Sequence, residues 1–310
     1  MSLRTISVAL VLVAAPLLAQ AQAAPFVIEE SGRGFSRLAD AVAAIGAGDG
    51  TISIAPGTYR ECAVQSEGRV AYTARQPGSV IFNGIACEGK AGLVLRGRAA
   101  HVQGIIFQNF RVADRNGSGI RLERGDLTVR DSVFRNSEQG ILTHDDPAAT
   151  ISIDHTTFSG LGGCPDGMCS HSIYIGNYGR LVVTRSRFEQ GKGGHYVKSR
   201  AAQADISDSS FDDTRGTSTN YMIDLPAGSV GTITRNIFVQ GRNKENYSAF
   251  IAVGAETINH PSDGLLITAN RAEIAPGIER RSTFVANWTR DALRLSGNQL
   301  SAGLKPYDER

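Results

Sequence analysis

Six consecutive residues, His195-Tyr196-Val197-Lys198-Ser199-Arg200, bring an imidazole, a phenol, an ammonium and a guanidinium into one short segment. Read as a strand, the segment sends alternate side chains to opposite faces. Tyr196, Lys198 and Arg200 then share the outer face, and His195 points inward unless Gly193-Gly194 turns it out. Such a set suits proton abstraction beside a carboxylate. β-Elimination in a uronate chain needs a base near the C5 proton, a cation on the carboxylate and an acid for the leaving oxygen. Lys198 or His195 can serve as base, Arg200 as cation, and Tyr174 or Tyr221 as acid. A lysine base needs a lowered pKa, which a carboxylate at Asp224 opposes, unless Asp224 orients His195 or helps to hold a cation.

Taken singly, these residues have bland readings. Lys198 and Asp224 would be a surface ion pair worth little, the histidines caps on a core, and Tyr174 an exposed sheet aromatic. Their concentration depends on the elements that carry them.

Those elements repeat. Alternating apolar residues, then Ser, Thr or Asn, one more residue and Phe recur, ending at Phe134, Phe158, Phe188, Phe211 and Phe238. The repeat length is about 25 residues, within the range of solenoid coils. An earlier copy ends at Phe107, and weaker later ones contain Asn270 and Asn298. Each copy is followed by a second apolar strand, seen in Gly140-Ile-Leu-Thr, Ser172-Ile-Tyr-Ile, His195-Tyr-Val-Lys, Tyr221-Met-Ile-Asp and Phe250-Ile-Ala-Val. The connections are too short for crossover helices, so a doubly wound sheet is excluded. The pattern predicts an all-β solenoid of roughly nine or ten stacked coils. Phe and Ile fill its bore, and the Ser, Thr and Asn residues stack as ladders at a bend. Residues 35–45 have apolar groups at helical spacing and predict a short capping helix, after which residues 50–59 open the first coil.

In such a solenoid the second strands align by Ile141, Ile173, Val197, Ile223 and Ile251. The outward row then reads Leu142, Tyr174, Lys198, Asp224, Ala252, in steps of roughly 5 Å. Ser172, Tyr196 and Met222 flank it on one side, and Gly176, Arg200 and Pro226 on the other. His171, His195 and Tyr221 stack at the strand starts.

Net charge is +2, with 32 basic and 30 acidic residues spread along the chain, which gives no footprint for nucleic acid. Arg4, an apolar run to Ala19 and Ala21-Gln-Ala23 read as a cleaved signal in residues 1–23, leaving residues 24–310 as the β-helix. The run is too short to span a bilayer, and a periplasmic or secreted location is expected. The four cysteines are expected to pair locally, Cys62 with Cys87 and Cys164 with Cys169, rather than to hold zinc.

The helix, the first strand, Pro56-Gly-Thr-Tyr59 and the coils together resemble the right-handed parallel β-helix superfamily of pectate-lyase-like proteins, which implies a single-stranded right-handed parallel β-helix with a short N-terminal capping helix. Val197-Lys198-Ser199 resembles the β-helix lyases acting on alginate and dermatan-type chains, and that resemblance implies a lysine base, an arginine one coil later and calcium. Here Asp224 stands at the arginine position, and Gly193, Gly194 and His195 replace the acidic calcium ligands. Residues 170–176 are similar to the Gly-His-Gly strand of polygalacturonases. That family's aspartate pair is replaced by Glu138-Gln139, with Asp145-Asp146 at the far end of the strand. Asp224 and Glu256, offset by four positions, are expected to lie more than about 10 Å apart if the strands run straight, too far for paired-carboxylate hydrolysis. Residues 194–201, Ile223-Asp-Leu-Pro226, Val239-Gln-Gly241 with Asn246, and Gly254-Ala255-Glu256 resemble a group of exported bacterial β-helix repeat proteins.

The expected function is a polysaccharide lyase on an acidic, uronate-containing polysaccharide. Lys198, His195, Tyr174, Arg200 and Asp224 form the catalytic set, and His171, Tyr196, Tyr221, Asn246 and Glu256 form the substrate-binding set. Loops 160–170 and 241–247 would grip the chain. The alternatives are a non-catalytic polysaccharide-binding or export-associated protein, a hydrolase or epimerase, and a surface adhesin.

Overall fold

The repeat bends at one residue. Asp131, His155, Arg185, Asp208 and Arg235, each just before the Ser, Thr or Asn, adopt left-handed backbone conformations with φ between 48° and 54°. Each pattern thereby splits into two strands, as in Asp126–Arg130 and Val133–Arg135, and a third follows at Gln139–Thr143. Three strands per coil give three long sheets in this computed structural model, which describes residues 2, 24–164, 167 and 169–310. The second and third sheets hold ten parallel strands each among the described residues. The first holds twelve, of which one near its start, Phe26–Ile28, runs antiparallel to both its neighbours.

Two ladders hold the coils in register. Phe82, Phe107, Phe134, Phe158, Phe188, Phe211 and Phe238 stack through the bore with ring centroids 4.8–5.7 Å apart, all fully buried. At the bend the Thr156 amide donates to Ser186 Oγ (3.2 Å), Ser186 to Ser209 Oγ (3.0 Å), Ser209 to Asn236 Oδ1 (3.0 Å) and Asn236 to Asn270 Oδ1 (2.9 Å). Short hydroxyls and amides thus satisfy backbone N–H groups that the bend removes from the sheet ladders.

The capping helix spans Leu38–Ile45, starting later than the apolar spacing suggested, and buries Leu38, Ala41 and Val42 over the end of the bore. A hairpin of Phe26–Ile28 and Arg33–Phe35 precedes it and pairs with Asp49–Ile54. The spacing argument did not anticipate this hairpin, because such short strands carry too little alternation to register. Cys62–Cys87 and Cys164–Cys169 are both disulfides. No described helix is long and apolar enough to cross a membrane. The signal segment lies outside the described residues except for Ser2, and loop 160–170 is described only in part.

Candidate functional site

On the outer face of the third sheet, register places Val94, Arg121, Leu142, Tyr174, Lys198, Asp224, Ala252 and Ala286 in one column. Tyr174, Lys198 and Asp224 are therefore consecutive rungs, as the alignment of apolar residues required. The inner residues of the same strands, Ile173, Val197, Ile223 and Ile251, are fully buried in the bore.

Lys198 is the hub. Its Nζ donates to Glu256 Oε1 at 2.6 Å and lies 3.5 Å from Asp224 Oδ2. The Arg200 guanidinium pairs with the other Glu256 oxygen, and its Nε donates to the Tyr174 hydroxyl at 3.1 Å. Both cations also approach the Tyr174 ring, with Lys198 Nζ 5.8 Å from the centroid and Arg200 Cζ 6.0 Å. Beneath them His195 Nε2 lies 3.3 Å from Asp224 Oδ2. Exposure divides the cluster: the Glu256 side chain is 41% exposed and Asp224 only 3%. Glu256, Arg200 and Tyr174 face outward, while Asp224 and His195 form the floor.

Asp224 and Glu256 are thus much closer than the straight-strand expectation. Both touch one ammonium, so the contacting oxygens can be no further apart than its two contacts, 2.6 Å and 3.5 Å, laid end to end. The expectation failed because the chain leaves the strand Ala249–Val253 at Gly254, whose φ of 72° turns Ala255 and Glu256 back over the sheet. The Glu256 amide then donates to the Pro226 carbonyl of the preceding coil at 3.1 Å.

Strand-start orientations also differ from simple alternation. Tyr196 and Met222 belong to the bore core, whereas Tyr221 packs in a separate outer cluster with Ala249, Ala252 and Ala286. His171, His195 and Tyr221 stack with centroids 5.1 and 5.5 Å apart, with His195 beside the outer-row Asp224. The extended alternation breaks at Gly193 and Gly194, where φ is 139° and 61°. Cys164, disulfide-bonded to Cys169, braces this turn, and the Gly194 amide contacts its Sγ at 3.2 Å. The His195 amide donates to His171 Nδ1 at 3.0 Å, which fixes one ring against the other.

The Tyr196 hydroxyl is committed to Asp213 Oδ1 at 2.8 Å. Asp213 and Lys244 form a buried ion pair at 3.2 Å, supported by Thr219 Oγ1 and the Asn220 carbonyl. The sequence alone did not mark this pair, because the two residues lie in different coils. It ties loop 241–247 to Thr219 and Asn220 and, through Asp213, to Tyr196 beside His195. Asn246 caps Ser248 through Oδ1 at 3.0 Å and contacts none of the Lys198 cluster. Glu138 and Asp145 likewise accept backbone amides, from Gly117 and Asn177.

Electrostatics sort the floor from the rim. Burial, with a smaller contribution from the Lys198 charge, brings His171 down to about 3. Burial, reinforced by His171 and Lys198, holds His195 well below its ordinary value, so its imidazole is neutral at pH 7. Burial pushes Asp224 up to about 7 against the pull of Lys198. At Glu256 burial pushes upward too, but the hydrogen bonds from Lys198 and Arg200 outweigh it and keep the carboxylate ionised. Oδ1 of Asp224 and Nδ1 of His195 are buried without a hydrogen-bond partner.

The donor set does not fit calcium, which takes six to eight oxygens. The space between the two carboxylates holds the Lys198 ammonium. No group of three or more His, Cys, Asp or Glu suited to a metal occurs among the described residues.

The chain belongs to the right-handed β-helix family, whose model, described as "Right handed beta helix region", matches residues 83–272. That span contains Tyr174, Lys198, Asp224 and Glu256. Comparison with curated proteins and with solved structures finds no match. The fold supports a carbohydrate-active or related protein, and its residues must supply any narrower reading.

Proposed function

We propose that the protein binds an acidic polysaccharide across the outer face of the third sheet and cleaves it by β-elimination. The observation that carries this reading is the Glu256 carboxylate held between Lys198 and Arg200, because a cation pair shaped for one carboxylate can accept another. A uronate carboxylate that displaces Glu256 has its charge neutralised there, which acidifies the neighbouring C5 proton. His195, kept neutral by burial, takes that proton at Nε2, and Asp224, whose Oδ2 lies 3.3 Å away, steadies the imidazolium that forms. The C5–H electrons form the C4=C5 double bond, and the C4–O bond breaks with its pair. The Tyr174 hydroxyl, which accepts from Arg200, protonates the departing oxygen. In this reading Lys198 is a charge-neutralising group rather than the base, since two carboxylates hold its ammonium. The two disulfides suit a periplasmic or secreted location.

Incubation with a panel of uronate polysaccharides tests the reading through the ultraviolet absorbance of unsaturated sugar ends. Absorbance is expected with at least one polymer and is lost in Arg200→Ala and His195→Ala. No absorbance with any polymer overturns the lyase, and an undiminished rate in both variants overturns the residue assignment.

One observation favours hydrolysis as the second reading. Asp224 and Glu256 are close, and their environments push their proton affinities apart, the arrangement of a general acid beside an ionised carboxylate. New reducing ends without ultraviolet absorbance would select it.

A further inference from the structure

Beyond Asp224 the outer column of the third sheet changes character. Its next two rungs are Ala252 and Ala286, both fully buried, and they lie in the small apolar cluster of Tyr221 and Ala249, flanked by Ala255 and the half-buried Trp288. This cluster is separate from the bore core and sits on the outside of the sheet. Its alanine floor and aromatic rings continue the charged cluster along the solenoid axis. The Tyr221 ring stacks on His195 at 5.5 Å and approaches Trp288 at 6.4 Å. An unbroken run of rings therefore leads from the Asp224 floor to the indole.

Two contacts tie the indole to the ionic site. Gly254, the turn that sends Glu256 back to Lys198, packs so closely on Thr289 that a Cβ there would lie 2.3 Å from its Cγ2. The segment carrying Trp288 is thus the buttress of the segment carrying Glu256. The Arg310 guanidinium lies over the Trp288 ring, 5.0 Å from its centre, and is steadied by Ser248 and Asp308, which places a cation on the apolar patch.

Resting on the reading of the Lys198 and Arg200 pair as a carboxylate site, we infer that Trp288, Tyr221 and Arg310 form a second sugar subsite on the same face. The part of the indole that Arg310 leaves uncovered takes the C–H face of a pyranose ring, and Arg310 meets that ring's acidic group. Ala286 is two rungs beyond Asp224, so the subsite lies roughly 10 Å further along the axis. Its ligand is a further ring of the chain whose carboxylate sits at Lys198 and Arg200.

Trp288 is the only tryptophan in the sequence, so its emission reports on this subsite alone. The experiment titrates the whole protein with a uronate tetrasaccharide and with its carboxyl-reduced neutral counterpart, following both tryptophan fluorescence and heat of binding. The acidic sugar is expected to change the emission with the same midpoint as the heat. Trp288→Ala is expected to weaken its binding by up to about tenfold, and Trp288→Phe by less. Binding heat with unchanged emission and an unaltered affinity in Trp288→Phe would overturn the subsite and leave the ionic site standing. No heat with either sugar would overturn both. If Trp288→Ala does not fold, the emission of the unsubstituted protein and the Trp288→Phe affinity still decide the matter.

Discussion

The Phe stack of the second sheet and the outer column of the third sheet obey opposite rules on the same coils. From Phe82 to Phe238 successive rungs carry the same residue, each buried, with ring centroids no more than 5.7 Å from the next. The outer column over the matching span carries Val94, Arg121, Leu142, Tyr174, Lys198, Asp224 and Ala252. A solenoid is stabilised by what each coil shares with its neighbours, so repetition marks residues that answer to stacking. Variation at a register position marks residues that stacking does not dictate. The polar run Tyr174, Lys198 and Asp224 is such an interruption, and His195, Arg200 and Glu256 lie against it.

The comparison can be broken first at the stack. Phe188→Ala removes a ring sandwiched at 4.8 and 4.9 Å and should cost about 3–5 kcal/mol, read as a fall in the urea midpoint. A small loss would mean that the coils are held mainly by their backbone ladders. Next comes Asn236→Ala, which removes an amide that donates to the Ile206 carbonyl at 2.9 Å and accepts from the Ser209 amide at 3.0 Å. About 1–3 kcal/mol is expected, measured the same way, with binding of acidic oligosaccharide unchanged per folded molecule.

On the other side of the comparison, Asp224→Asn should change how stability depends on pH. Between its ordinary value of 3.8 and about 7, folded Asp224 holds a proton that the unfolded chain has released, so this group lowers stability as pH rises through that window. His171 acts oppositely between about 3 and 6.5, where the unfolded chain holds the proton. Asp224→Asn removes only the falling contribution. Its urea midpoint should therefore improve relative to the parent protein on going from about pH 4.5 to about pH 7.5. A difference that stays flat across this range would mean that Asp224 is ionised in the fold. The smallest effect is expected at the rim. Glu256→Gln weakens an exposed ion pair and should shift stability by less than about 1 kcal/mol. It should tighten binding of an acidic oligosaccharide several-fold by removing an internal competitor. Weaker binding would instead make Glu256 a direct ligand contact.

Much of the fold was legible in the sequence because a repeat is a local signal copied many times. The Ser, Thr or Asn two positions before each Phe announced both the bend and its hydrogen-bond ladder, and the apolar residues of the second strands set a register that Tyr174, Lys198 and Asp224 obey. Both disulfides followed from proximity along the coils. The N-terminal hairpin did not, since it occurs once. Nor did the Asp213 and Lys244 pair, whose partners come from different coils with no pattern linking them.

What the amino-acid sequence determined by itself is the column: one residue per coil, in an order fixed by the repeat length and the two-residue period of a strand. What only the tertiary structure decided is depth and reach at that column. Gly254 folds Glu256 back onto Lys198 and Arg200, and Gly193-Gly194 turns the His195 ring to Asp224 while Tyr196 enters the bore. Positive-φ turns break the alternation on which sequence reading depends. Burial, which moves Asp224 and the histidines away from their ordinary proton affinities, depends on neighbouring coils and loops packed around each group.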